Sequence, residues 1–355
     1  MEHITTSIHQ LQQTKGIKDL LLYGVHNNIS DFWISPREPV KCNRYDQVYA
    51  LTPYVLSRSV CKNIASILYG SKSVIANASG GNDCPCSYEF IDEHQNKHRF
   101  RVNISMSNSG ISMTTRVIKS IPPTLEEIGL EDEILESVLN QKDAAFLISG
   151  RTGSGKSTTL AAMNRYELEN TPLGIRLMTI ESPIEYTYDK CDKKNSVVWQ
   201  HEVPKHYKSF SFALRSKMRD NPTHLLIGET RDYETLDGLI QAAKSGHVAK
   251  TTLHASSVPA TITRLYDFIP VQQRTQAVVS ELIDSISCIV YQDLVRTPEG
   301  KRTACREFLV FNDEVKNYLY DNHTQIYRAA KVMVEKFGVP YERKLAELQS
   351  KGMVA

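Results

Sequence analysis

One stretch constrains the fold of this chain more than any other: Gly150-Arg151-Thr152-Gly153-Ser154-Gly155-Lys156-Ser157, followed by Thr158 and Thr159. It matches the pattern G-x-x-x-x-G-K-S/T at every fixed position. The run before it, Ala144-Ala145-Phe146-Leu147-Ile148-Ser149, is apolar and of strand length, and residues 160–169 contain neither Gly nor Pro and read as a helix. Strand, glycine-rich loop and helix in that order make a phosphate cradle. Glycines let the backbone curl with its N–H groups facing inward, and the helix N-terminus adds partial positive charge. In such a cradle Lys156 reaches the outer phosphates and the Ser157 hydroxyl holds Mg²⁺. The alternative, a glycine-rich turn that happens to precede Lys-Ser, does not account for the flanking strand and helix.

A chain of 355 residues predicts two domains, and 41% hydrophobic with 23% charged residues describes an ordinary globular chain with enough apolar mass for a core. A net charge of +2 is too small for a nucleic-acid footprint, so no direct nucleic-acid binding is expected. No run approaches the apolar length of a membrane span, and the start, Met1-Glu2-His3-Ile4-Thr5-Thr6, lacks the pattern of a signal peptide. Seven scattered cysteines without paired C-x-x-C units argue against a zinc ribbon and for reduced thiols in a cytoplasmic setting. Cys84-Pro85-Cys86 is expected in a loop, because Gly80-Gly81-Asn82-Asp83 precedes it.

Residues 1–120 read as an α+β domain. Helices are expected over 14–25 and 54–69, and strands over 30–35, 88–91, 98–106 and 110–117. Ile121-Pro122-Pro123 breaks the pattern and makes a stiff linker, placed at 121–124. Thr124 with Glu127 reads as a capping box, and a helix is expected over 131–140. From there to 355 strands alternate with helices, the mark of a parallel sheet. Strands are expected over 144–149, 175–180, 223–227 and 249–254. Helices are expected over 160–169, 210–219, 235–245, 258–268 and 271–286, followed by a hairpin over 286–311 and a helical tail over 317–349. The fold class is therefore α/β after an α+β first domain.

In an open α/β sheet, ligands gather beyond the carboxyl ends of the strands. Three polar clusters stand there: Glu181-Ser182-Pro183-Ile184-Glu185, Gly228-Glu229-Thr230-Arg231-Asp232, and Gly246-His247 with His254 around the strand between them. Singly, an acid after a strand reads as a helix cap or solvated turn, and a single His as a structural hydrogen-bonder. Jointly they supply what phosphoryl transfer to water requires: a carboxylate to orient water, another toward Mg²⁺, and cations against the developing charge.

These segments resemble a known family. Residues 150–157 look like its Walker A, Thr179-Ile180-Glu181-Ser182-Pro183-Ile184-Glu185-Tyr186 resembles its Asp box, 218–232 its Walker B region, and 246–254 its His box. The family is the secretion-superfamily ATPases, of the PilT/GspE type, which includes pilus motors and type IV secretion ATPases. The resemblance spans residues 17–325. Ser182, where many pilus motors carry Asp, and Trp199-Gln200-His201-Glu202-Val203-Pro204-Lys205-His206 look like the DotB and TraJ branch of type IVB secretion and conjugative transfer.

The resemblance implies a RecA-like P-loop NTPase domain behind an N-terminal PAS-like domain, and a Mg²⁺-dependent ATPase working as a homohexamer. It would act on inner-membrane secretion or pilus platform proteins from the cytoplasmic face. It implies phosphate binding by Gly150, Thr152, Gly153, Ser154, Gly155, Lys156, Ser157 and Thr158. Ser157 and Glu229 would be the Mg²⁺ side. Glu181 or Glu185 would polarise the attacking water, with Glu181 favoured for its place at the strand end. His254 and His247 would sense the γ-phosphate or line a subunit boundary, and Arg101 and Arg116 would reach the nucleotide from the first domain. Arg231 is read either as part of this site or as a partner of Asp232. The branch implies transfer through a type IVB, Dot/Icm- or conjugation-like, system. The alternatives are PilT-like pilus retraction and, from another class, a DNA-stimulated P-loop motor or a nucleotide-binding regulatory subunit.

Overall fold

Apolar residues at helical and strand spacing assemble the first unit, Met1–Ser120, of the computed structural model. The structure describes residues 7–45, 47–118, 121–139 and 143–354. The signal-peptide reading concerns residues 1–6, and the expected helix end Asn140 is also outside the described residues. In chain order the unit contains α1 (Ile8–Leu11), α2 (Thr14–His26), β1 (Asp31–Ile34), β2 (Lys41–Arg44), β3 (Gln47–Ala50), α3 (Arg58–Tyr69), α4 (Ser73–Ser79), β4 (Cys84–Ile91), β5 (Lys97–Ser107) and β6 (Gly110–Ile118). The strands form one antiparallel sheet in the order β3-β2-β1-β6-β5-β4. Ile17, Leu20 and Leu21 of α2 and Val60, Ile64 and Leu68 of α3 share a core with Phe32, Phe100, Val102 and Ile104 from the strands. A Cβ on Gly24 would stand 2.1 Å from the Phe32 ring, so α2 can lie on β1 only because that residue is glycine.

Cys84-Pro85-Cys86 is not in a loop; it opens β4, paired Cys84↔Ile104 through Cys86↔Val102 with β5. The turn signal in Gly80-Gly81-Asn82-Asp83 ends at Asp83, and the long partner strand extends the ladder to Cys84.

The second unit, Ile121–Ala355, begins with the Ile121-Pro122-Pro123 stretch. It contains α5 (Leu125–Ile128), α6 (Asp132–Leu139), β7 (Ala144–Ser149), α7 (Lys156–Asn170), β8 (Arg176–Glu181), β9 (Val197–Glu202), α8 (Phe210–Lys217), β10 (His224–Ile227), α9 (Tyr233–Lys244), β11 (Val248–Leu253), α10 (Val258–Phe268), α11 (Gln276–Ser285), β12 (Ile286–Arg296), β13 (Arg302–Val310), α12 (Asp313–Asp321), α13 (Ile326–Phe337) and α14 (Tyr341–Ser350). The Thr124 side chain accepts from the Glu127 N–H and the Glu127 carboxylate from the Thr124 N–H, the capping box expected at α5.

The sheet order is β13-β12-β7-β11-β10-β8-β9, parallel except for β13. Every residue of β7 and of β11 is buried, as central strands covered on both faces require. One face packs on α8–α13 and the other on α6 and α7. Edge strand β9 was not expected, since its sequence mixes polar residues with Trp199. The helix expected over 271–286 is split: a short 3-10 turn precedes α11, which the Thr275 side chain caps by accepting from the Val278 N–H. Among the described residues no helix is long and apolar enough to cross a membrane.

Candidate active site

Parallel register brings the polar clusters to one edge. Ser149 of β7 lies beside Leu253 of β11 and Tyr291 of β12, and Ile227 of β10 lies between Thr251 and Ile180. The chain therefore leaves β7, β8, β10 and β11 at the same end with residues 150–155, 181–185, 228–232 and 254. β7 is the switch point, its neighbours β11 and β12 lying far along the chain, and this is where ligands bind in such sheets.

The loop after β7 is a built cradle. Gly153 and Gly155 have φ near +80°, which glycine adopts without strain, and Gly155 immediately precedes α7. A Cβ on Gly150 would meet the Gln292 carbonyl oxygen at 2.2 Å, so β12 backbone presses against the loop's first residue. Lys156 is buried and its ammonium donates to the carbonyls of Gly150 at 2.9 Å and Arg151 at 2.8 Å. Burial lowers its pKa, opposed by the charges of Glu229 and Glu185. Ser154 Oγ is buried without a hydrogen-bond partner among the described residues. Thr152 is exposed, and Thr158 shares a 2.9 Å hydrogen bond with the Tyr186 hydroxyl. Curled glycines, an orphaned hydroxyl and a lysine folded onto loop carbonyls at a helix N-terminus fit a polyphosphate.

The carboxylates divide into two kinds. Glu229 accepts from Arg231 Nη2 at 2.6 Å and lies 3.4 Å from His254 Nε2. Arg231 thus pairs with Glu229 rather than with Asp232, whose side chain instead caps α9 by accepting from the Thr235 N–H at 2.8 Å. Glu185 is exposed and its charge acts on Lys156. Glu181 is buried, accepting from Thr179 Oγ1 at 2.6 Å and Gln200 Nε2 at 3.3 Å. Burial pushes its pKa up to about 7, against those hydrogen bonds and that from the Glu185 backbone. Glu185 is therefore solvent-exposed with its charge felt at Lys156, whereas Glu181 is tied into the β8–β9 edge.

His247 stands at the amino end of β11, its Nδ1 2.9 Å from the Ala242 carbonyl, and His254 follows the carboxyl end. Six strand residues separate them, roughly 20 Å at 3.3 Å each. The structure thus brings His254 but not His247 to the phosphate loop of its own chain. Arg101 and Arg116 are exposed, in register with each other on β5 and β6 of the first unit, and Arg116 Nε donates to Asp31 at 2.8 Å. Tyr186, Gln200 and Gln292 also touch the site; Tyr186 and Gln200 stand in segments that resemble the family, but none of the three was read as a site residue, because each is an ordinary polar residue until the sheet brings it alongside. Among the described residues no group of three or more His, Cys, Asp or Glu could hold a metal, so a Mg²⁺ ion here would share its shell with phosphate oxygens and water, as that ion ordinarily does.

Comparison with known proteins agrees with this geometry. The family model for type II/IV secretion system proteins matches residues 15–340. A twitching motility protein of Neisseria gonorrhoeae is 35% identical over 269 residues, 75% of this chain and 70% of that protein. The ATPase DotB of Legionella pneumophila has a similar structure, with TM-score 0.89, 30% identity, and coverage of 96% of this chain and 92% of that one. The pilus retraction motor PilT, solved with bound ADP, is similar at TM-score 0.78 and 27% identity, covering 96% and 94%. A phosphate cradle, its facing carboxylates and a match running through both units agree: the chain belongs to the type II/IV secretion system protein family, the PilT/GspE-type traffic ATPases.

Proposed function

We propose that this protein hydrolyses ATP and uses the energy to drive substrate transfer through a type IVB, Dot/Icm- or conjugation-like, secretion system. The observation that carries the branch is the likeness to DotB over nearly the whole chain. ADP in the related PilT structure supports the nucleotide.

Backbone N–H groups of residues 153–157 hold the phosphates, and Lys156 exchanges its loop carbonyls for phosphate oxygens. Ser157 and Glu229 would hold Mg²⁺, which would supply charge neutralisation. Glu185 orients the attacking water, because it is exposed to water with its charge felt at Lys156 while Glu181 is buried and pushed toward its neutral form. His254 and Arg231 fix the Glu229 carboxylate. Arg101 and Arg116 contribute positive charge, and His247 lies at a subunit boundary. The working form is a homohexamer at the cytoplasmic face of the inner membrane, on platform proteins, without direct nucleic-acid binding.

A second reading, pilus retraction, is favoured by the twitching motility relative and the PilT structure. Complementation separates the two. The expected result is restored effector or plasmid transfer in a strain lacking its own type IVB ATPase; restored twitching in a strain lacking its retraction motor, without transfer, favours retraction. In vitro, Lys156→Ala abolishes hydrolysis and DNA leaves the rate unchanged. Full activity of Lys156→Ala would refute the ATPase assignment, and DNA stimulation that falls steeply with salt would favour a DNA motor.

A further inference from the structure

Behind the phosphate loop lies a buried polar chain that hydrolysis chemistry does not require. Gln292, 1% exposed on β12, donates its amide N–H to the Ser154 carbonyl at 2.7 Å. Its amide oxygen accepts from Thr159 Oγ1 at 2.9 Å and from Arg306 Nε at 2.8 Å. The amide orientation is forced, because a guanidinium only donates. Arg306, also 1% exposed, is the cross-strand partner of Gln292 on β13. Its other nitrogens donate to the Gly129 carbonyl at 2.8 Å, the Ile128 carbonyl at 3.0 Å and Glu131 at 2.9 Å. Lys344 of α14 holds Glu131 from the other side at 3.2 Å.

Three features make this more than core packing. Gln292 contacts the loop through both main chain and side chain: a Cβ on Gly150 would strike its carbonyl, and one on Gly155 would reach its amide nitrogen at 3.0 Å. The Ser154 carbonyl it holds belongs to the peptide that presents the Gly155 N–H, and Thr159 lies in the first turn of α7. At the far end, Arg306 holds carbonyls in the turn between α5 and α6, groups a helix terminus leaves unpaired. That turn follows closely on Ile121-Pro122-Pro123.

We infer that Gln292 is a positioning residue for the phosphate loop and that Arg306 locks it, so that the loop and the α5–α6 turn respond to nucleotide as one body. The inference rests on reading residues 150–157 as the nucleotide loop. The amide accepts from Arg306 and Thr159 while donating to the Ser154 carbonyl. A carboxylate keeps the first two contacts and loses the third.

The full chain is tested with ADP by calorimetry, with ATP by steady-state kinetics, and by amide hydrogen exchange with and without ADP. Gln292→Glu keeps shape and pairs its charge with Arg306. Its expected effect is a KM for ATP and a Kd for ADP raised about tenfold or more, with a smaller change in kcat, as for outer partners of bound groups. A purely structural role would lower Tm and kcat and leave KM and Kd unchanged, and would overturn the inference. Wild type needs no variant: ADP should slow exchange over residues 125–139 as well as 150–160. Arg306→Lys, which still opposes Glu131, should lose the first effect and retain the second. Protection confined to 150–160 in wild type would overturn the coupling. Absence of ADP binding by wild type would overturn the nucleotide reading itself, whereas wild-type binding with unaltered Gln292→Glu constants would overturn this inference alone.

Discussion

At the residue scale, environment separates side chains that look alike in the sequence. Glu181 and Glu185 stand four apart in one motif, yet one is enclosed by Thr179 and Gln200 and the other is exposed. Glu185→Gln should lower kcat by about 100-fold or more, within the range for general-base loss. Glu181→Gln keeps a neutral acceptor for Thr179 and should cost far less; a single-turnover assay distinguishes them, and equal losses would contradict the assignment. Stability carries a second signature. The folded pKa of Glu181 stands near 7, above that of an unfolded glutamate near 4.3. Its contribution is therefore fully present below about pH 4 and lost as pH rises through about 7. Melting temperatures of wild type and Glu181→Gln measured from pH 5 to 8 should diverge, the wild type losing more toward pH 8. Parallel curves would show Glu181 ionised throughout.

At the element scale, α7 is anchored by polar contacts as well as by its apolar face. Lys250, buried in β11, donates to Glu167 and to Asn164 Oδ1, and Asn164 donates to the Tyr188 hydroxyl. Burial alone would raise Glu167, but Lys250 and His224 hold it down at about 2. Lys250→Met leaves that carboxylate buried with only His224 nearby and should destabilise by about 3–5 kcal/mol. Chemical denaturation of Lys250→Met, Glu167→Leu and the double variant should show the double costing less than the sum; additive losses would mean the two are not coupled. Most elements were legible from residue spacing: β7 and α10 occupy the stretches their apolar periods predict. The capping box at Thr124 was readable because capping is local. Strand β9 and the extension of β4 through Cys84 were not, because a strand edge is set by the partner available for pairing.

At the scale of the whole molecule, each unit has its own core, that of α2, α3 and the six-stranded sheet, and those on the two faces of the seven-stranded sheet. A fragment of residues 121–355 should therefore fold and bind ADP within a few-fold of the full chain. Hydrolysis should fall at least tenfold in Arg101→Ala and Arg116→Ala of the full chain; melting temperature should change little in Arg101→Ala, whose side chain is exposed, and fall in Arg116→Ala, which takes that donor from the buried Asp31 carboxylate. Unchanged turnover in both variants would leave these arginines as surface residues.

The sequence by itself determined the phosphate loop, the parallel α/β order and the family, because these depend on local backbone requirements and on hydrophobic period. Tertiary structure decided which polar residues meet. Register put His254 at the loop and His247 at the opposite end of the same strand, buried Glu181 while leaving Glu185 exposed, and set Gln292 and Arg306 behind Ser154. The contact of Gln292 with Ser154 joins residues 138 positions apart, and no local pattern encodes it. Its energy comes from burying polar groups that must be satisfied, which occurs only once the sheet has formed.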